Sequence, residues 1–560
     1  MNVSLNNNVK RLSLPYFVIA RAKPVAILKG FLVLFLFFLP TAFFAGEEGF
    51  HQGIAFVLKG EEALEAWQID EAVKIAEELT ERIGDEPRAL LFAAKVRFYQ
   101  GDYQEALDLV RKAKEKGYAG GDSIGFLDVL TKTAEAARGF TSTGSTHFIV
   151  RYKKGKDEIL PGYALDALEK AYTTVGEDLG YFPRERVIVE IYPDIESFIQ
   201  VSTLSRKDVE TSGTVAICKF ARIVITTPRV LLRGYPWLDT LSHEYVHYVV
   251  NRRTRGMVPI WLHEGIAKYE EARWRGKKGG DLTPSSQAIL ARALKENTLI
   301  PFEKMHPSLA KLKSAEEAQR AFAEVSTAVE FIKEQWGSAG LHKLLQSMSQ
   351  GMPEDQACDS VLGLTSQGFF SAWKSWAMKK PITDIPGLRA LPLRFRKDKG
   401  TGALKEPRED EEKQLEKEEL KDIPSEAARK HLRLGDLLRD RNRIEAAIVE
   451  YQKATRKGAL SPVAFNKLAL AFMLNRDLDS ALGPLMRARE LFPDFVTTYV
   501  HLGQIYLERK DYERSLENFI MANSLNPFDP RIHAGMATIY KEKGKTDLQA
   551  HEERIYAILR

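Results

Sequence analysis

The chain has 560 residues, too many for one hydrophobic core, so several domains are expected. Hydrophobic residues make up 44% and charged residues 28%, an ordinary globular balance, and a net charge of +5 spread over this length gives nucleic-acid binding no support. The only cysteines are Cys218 and Cys358, which excludes a disulfide scaffold and a zinc site built on clustered thiolates.

Lys10, Arg11, Arg21, Lys23 and Lys29 precede an apolar run from Phe31 to Leu39, and Pro40, Thr41 and Ala42 follow. Residues 1–45 are therefore expected to be a signal peptide, or else an uncleaved anchor holding the chain to a membrane through residues 30–45. The run is short for a membrane span. No cysteine stands directly after it, so a lipoprotein anchor is not available. The mature protein is expected to be exported, to a periplasmic or other extracytoplasmic compartment.

Residues 50–140 are predicted to be helical repeats. Gly60 pairs with Ala94 and Ala72 with Ala106, each 34 residues apart, and Gly101 to Leu107 has the composition of a turn entering a helix. Two such units are marginal as a free solenoid, so they are expected to pack on the neighbouring domain.

The next region, residues 142–380, is expected to be α+β. His147 to Tyr152 and Val187 to Tyr192 are strand-like, with a helix from Leu160 to Leu179 between them. Val215–Ile217 and Ile223–Thr226 are further short strands, with a hairpin near Lys219. Pro236 suits a first helical turn, and Trp237 to Val250 follows as a helix holding the pattern H-E-x-x-H. His243 and His247 are four apart, so they project from one face and can share a metal, and neutral imidazole suits zinc. Glu244 then lies beside the metal, placed to take a proton from an attacking water.

Residues 393–424 read as a charged linker, flexible or partly helical. Residues 425–560 repeat with a period of 34: Gly435, Ala469, Gly503 and Ala537 align, as do Ala447, Ala481 and Ser515, and Ala454, Ala488 and Ala522. Small residues recur where the two helices of a hairpin touch, and large ones such as Leu438, Phe472, Tyr506 and Tyr540 fill the gaps between hairpins. This pattern resembles the tetratricopeptide repeat, which implies protein partners or substrates. The fourth unit has Gln549 where a small residue is expected, in keeping with a capping role. The segment from Ser425 onward is expected to fold alone, because its units stack on their neighbours.

Downstream of His247, Pro259 to Glu271 reads P-I-W-L-H-E-G-I-A-K-Y-E-E. With H-E-x-x-H, this segment resembles the gluzincins, and most closely the peptidase MA-like domains found beside tetratricopeptide repeats in bacteria. The likeness covers about Ser142 to Lys380. It implies a gluzincin-like metallopeptidase domain with zinc held by His243, His247 and Glu264, and with Glu244 as general base. It also implies that Glu271 orients a ligand histidine, and that Gly265 lets its helix approach the zinc helix closely. The aminopeptidase signature G-x-M-E-N is absent, so an endopeptidase is expected. No tyrosine lies between Tyr269 and Tyr451, so the tyrosine that stabilises the transition state in related enzymes is missing, and His306 and His342 are the candidate substitutes. His263 competes with Glu264 for the metal but lies about a quarter-turn away on a helix. The alternative to a zinc peptidase is an envelope scaffold with a degenerate, non-catalytic peptidase domain.

Overall fold

A computed structural model describes residues 44–118, 120, 122–396 and 409–560. Nearly all of the predicted signal or anchor segment, and the linker residues 397–408, lie outside the described residues. The sheet, the repeats and the candidate site all belong to one compact unit, Gly53–Arg560. Among the described residues no helix is long and apolar enough to cross a membrane.

The fold is mostly helical, with a small mixed sheet at its centre. Five strands, β1 (Phe140–Gly144), β2 (Phe148–Lys153), β3 (Val187–Tyr192), β4 (Ala216–Lys219) and β5 (Arg222–Thr226), lie in the order β1-β2-β3-β5-β4. The central three are parallel, and the outer two run antiparallel to their neighbours. β4 and β5 form the predicted hairpin. Its two-residue turn, Phe220–Ala221, holds both residues at positive φ (52° and 54°), as the right-handed twist of the flanking strands requires. The helix Leu160–Leu179 connects β2 to β3 with the predicted bounds. Val187, Val189 and Ile191 point to the main core, while Tyr192 faces a smaller cluster around Phe198 on the opposite side.

Three helices build the candidate site. The motif helix, Trp237–Thr254, packs against β4 and β5 and against the helix Leu160–Leu179. The ligand helix, Ile260–Glu270, follows after a short loop. Behind it runs the backing helix, Ala315–Ser349, interrupted at Gly337 (φ 67°).

Helical hairpins lie on both sides of this region. The N-terminal ones dock on the sheet, as expected of so short an array: Arg151 donates to the Gly101 carbonyl (2.8 Å), and the buried Arg222 donates to that of Phe98 (3.0 Å). The C-terminal array has four hairpins between Glu426 and Leu559, with Ala447, Ala481 and Ser515 fully buried at the helix contacts. It is joined to the centre by more than a linker. Ile555 and Leu559 belong to the main core, and the charged segment before the array contains a helix, Glu409–Lys421. That helix buries Leu415 and Leu420, pairs Glu419 with Arg233 (2.8 Å) and Glu416 with Lys467 (2.9 Å), and so is not a solvated tether.

Candidate metal centre

The motif helix brings His243 and His247 to one face, and the ligand helix presents Glu264 to both. The Glu264 Oε2 atom lies 3.7 Å from His243 Nε2 and 3.4 Å from His247 Nε2. One ligand atom from each of the three residues falls within 4.8 Å of the others, the only such group of three or more metal-binding side chains among the described residues. Two imidazole nitrogens and one carboxylate oxygen converging on a point suit a tetrahedral cation with one position left open.

Electrostatics favour a positive charge there. Burial pushes the Glu264 carboxyl up, but the charge of His247 and hydrogen bonds from both histidines outweigh it and hold the group well below the usual range. Burial likewise disfavours charge on His243, yet its hydrogen bonds to Glu264 and Glu271 push it up to about 10. The Glu271 Oε2 atom lies 3.2 Å from His243 Nδ1, and its other oxygen accepts from Lys268. This fixes the ring with Nε2 toward the cluster.

Glu244 is buried beside this group, and burial raises its pKa against the opposing charges of His247 and His243. The backbone of Cys218, in the edge strand β4, lies near enough to lower it in part. Glu244 takes no part in the three-residue cluster, so its carboxylate remains available for proton transfer.

Several neighbours could not be read from the sequence. The His263 ring stacks on that of His247, with centroids 4.3 Å apart and planes 12° apart. His263 lies outside the three-residue cluster, and burial lowers its pKa to about 3. A Cβ at Gly265 would meet the backing helix first, at Val325 and Val329, an element the sequence pattern does not single out. His342 is bonded to the Asp178 carbonyl (2.6 Å) and His306 is exposed, and neither joins the cluster.

A family model described as Peptidase MA superfamily matches residues 167–379. Residues 167–379 are a Peptidase MA superfamily domain. Tetratricopeptide repeat models match residues 57–121, 432–494 and 496–529, so the domain is flanked by repeats on both sides. Peptidase MA domains are typically zinc-dependent, and the His243, His247 and Glu264 donor set fits such an ion.

No curated protein matches the chain in sequence. Among solved structures it is similar to MamA, at 20% identity over 27% of this chain and 92% of that one, with a TM-score of 0.22. It is also similar to native yeast LTA4 hydrolase, at 12% identity over 74% of this chain and 66% of that one, with a TM-score of 0.30. Likenesses this distant leave the reading of the peptidase MA domain to its own geometry.

Proposed function

We propose that this protein is an exported zinc metallopeptidase of gluzincin type that cleaves peptide bonds within protein chains, with repeats that bind substrates or partners. The observation that carries the reading is the convergence of His243, His247 and Glu264 on one point, with Glu244 beside it and outside the ligand set.

Zinc, when bound, supplies Lewis acidity that acidifies water and polarises the scissile carbonyl. The chain's own residues do the rest. Glu244 accepts a proton from the attacking water and delivers it to the leaving amine nitrogen. Its position beside β4 suits this task, because the outer edge of β4 is free of strand partners among the described residues. An extended peptide pairing with that edge would run past Glu244, and its backbone would be held without regard to side chains. Glu271, with Lys268, keeps the His243 ring oriented.

The deciding experiment measures zinc content and cleavage of a peptide library for the wild type and Glu244→Gln. One zinc per chain with cleavage in the wild type alone supports the reading. A wild type that holds no zinc and cleaves nothing favours the scaffold, with the repeats as the working part. Export and anchoring are tested separately, by fractionation and by the N-terminal sequence of the mature chain.

A further inference from the structure

The motif helix begins without a side-chain cap, since the residue before it is Pro236. Its start is held instead by the C-terminal repeats. The Tyr235 N–H donates to the Leu525 carbonyl (2.9 Å), and the Trp237 indole N–H donates to the Asn523 carbonyl (3.2 Å). Both acceptors end the second helix of the third hairpin, Tyr512–Leu525. Gly234, at φ 69°, lies flat against the same Leu525 carbonyl. Around this contact Arg275 reaches Met521 Sδ (3.2 Å), Arg229 lies over the Phe528 ring (5.3 Å) and Arg233 over that of Phe495 (5.3 Å). Tyr235 and Trp237 are both buried.

We infer that the C-terminal repeats are a positioning element of the metal centre, clamping the first turn of the motif helix and thereby setting where His243, Glu244 and His247 stand. The inference rests on the proposed metal site. His243 lies six residues beyond Trp237, about 9 Å along the helix axis. Its backbone follows any displacement of the first turn, because the hydrogen-bonded helix between them is stiff. The geometry needs no ligand in the repeats to act. It does mean that a protein partner pulling on the Asn523–Asn526 turn would loosen the ligand set, so that binding at the repeats regulates the site.

Gly234→Ala tests this in the full chain. A Cβ at that position collides with the Leu525 carbonyl oxygen and stands 2.6 Å from Asn526 Cβ, so it wedges the clamp apart without touching a ligand. Gly256→Ala is the control. It imposes the same left-handed strain (φ 68°) at the far end of the same helix, where the nearest atom would be 3.8 Å away. Backbone hydrogen exchange across residues 237–247 is measured, together with zinc affinity by chelator competition. Gly234→Ala is expected to speed exchange there and to raise the zinc dissociation constant by on the order of tenfold, while Gly256→Ala does neither. Unchanged exchange across 237–247 in Gly234→Ala would overturn the inference, whether or not residues 511–529 loosen. Equal acceleration in both variants would also overturn it, since strain alone would then account for the effect. Trp237→Phe, which removes the indole N–H, serves if Gly234→Ala does not fold. A wild type that binds no zinc refutes the metal reading alone, and the exchange measurement still decides the clamp.

Discussion

Replacing Gly265 by alanine should damage the metal centre from behind. A Cβ there would stand 2.6 Å from the Val325 carbonyl oxygen and 2.9 Å from Val329 Cγ2, where ordinary contact begins at 3.4 Å. The backbone oxygen cannot rotate away, so the ligand and backing helices must separate by several tenths of an ångström. Overpacking of this kind costs about 1–3 kcal/mol. Glu264 is the adjacent residue, and its carboxylate moves with the helix. Metal ligands tolerate only about 0.2 Å of misplacement, so zinc affinity should fall by roughly 10- to 100-fold. Val329→Ala removes the side-chain contact and leaves the backbone one, so in the double variant it should restore only part of the loss. Chelator competition reads the affinity, and thermal melting followed by helical circular dichroism reads the stability. A Gly265→Ala protein that melts and binds zinc like the wild type would show that the two helices are not held at this contact.

Glu244→Gln should keep its zinc and lose at least about 10²-fold in peptide cleavage, the lower range for general-base catalysis; wild-type turnover would refute the proton-transfer role. Glu264→Gln should differ by weakening zinc binding itself, measured in the same competition assay. His247→Ala should lose the metal, and full occupancy in elemental analysis would remove His247 from the ligand set. Glu324, fully buried in the backing helix, has its carboxyl pushed up to about 8 by burial, against the Ile300 N–H bonds that lower it. The folded state therefore holds this proton more tightly than the unfolded chain. Its stability contribution is complete below about pH 4.5 and is lost as the pH rises through about 8, with a slope of at most about 1.4 kcal/mol per pH unit. Glu324→Gln should flatten that part of the urea-denaturation profile, and an unaltered pH dependence would show that Glu324 is ionised in the fold.

The features legible in the sequence are those with a period or a donor pattern. The helix Leu160–Leu179 and β3 have the predicted bounds, the first from helical apolar spacing and the second from a short run rich in β-branched residues that ends at Pro193. The grouping of His243, His247 and Glu264 is readable because H-E-x-x-H sets two imidazoles on one helical face, and the W-L-H-E-G segment resembles one that carries a third donor. β1 carries no such signal: Phe-Thr-Ser-Thr-Gly has no buried alternation, as suits an edge strand exposed at one end. The helix Glu409–Lys421 reads only as part of a charged linker because Leu415 and Leu420 are submerged among charges whose partners lie far along the chain. The His263–His247 stack has no signal either, since adjacency to Glu264 in sequence does not show which ring it will cover.

The C-terminal array meets the chain that precedes it with one kind of residue used three times. Leu491 packs with Leu388, the Leu525 carbonyl takes the Tyr235 N–H, and the Leu559 carbonyl takes the Lys156 ammonium (3.0 Å). These leucines are 34 residues apart, so the seam between domains carries the same beat as the array itself. Growth beyond Leu559 by whole units would leave every contact in phase. A length change of any other size between Leu491 and Leu559 would turn the next leucine out of the seam, so whole-unit changes are the insertions and deletions this arrangement tolerates.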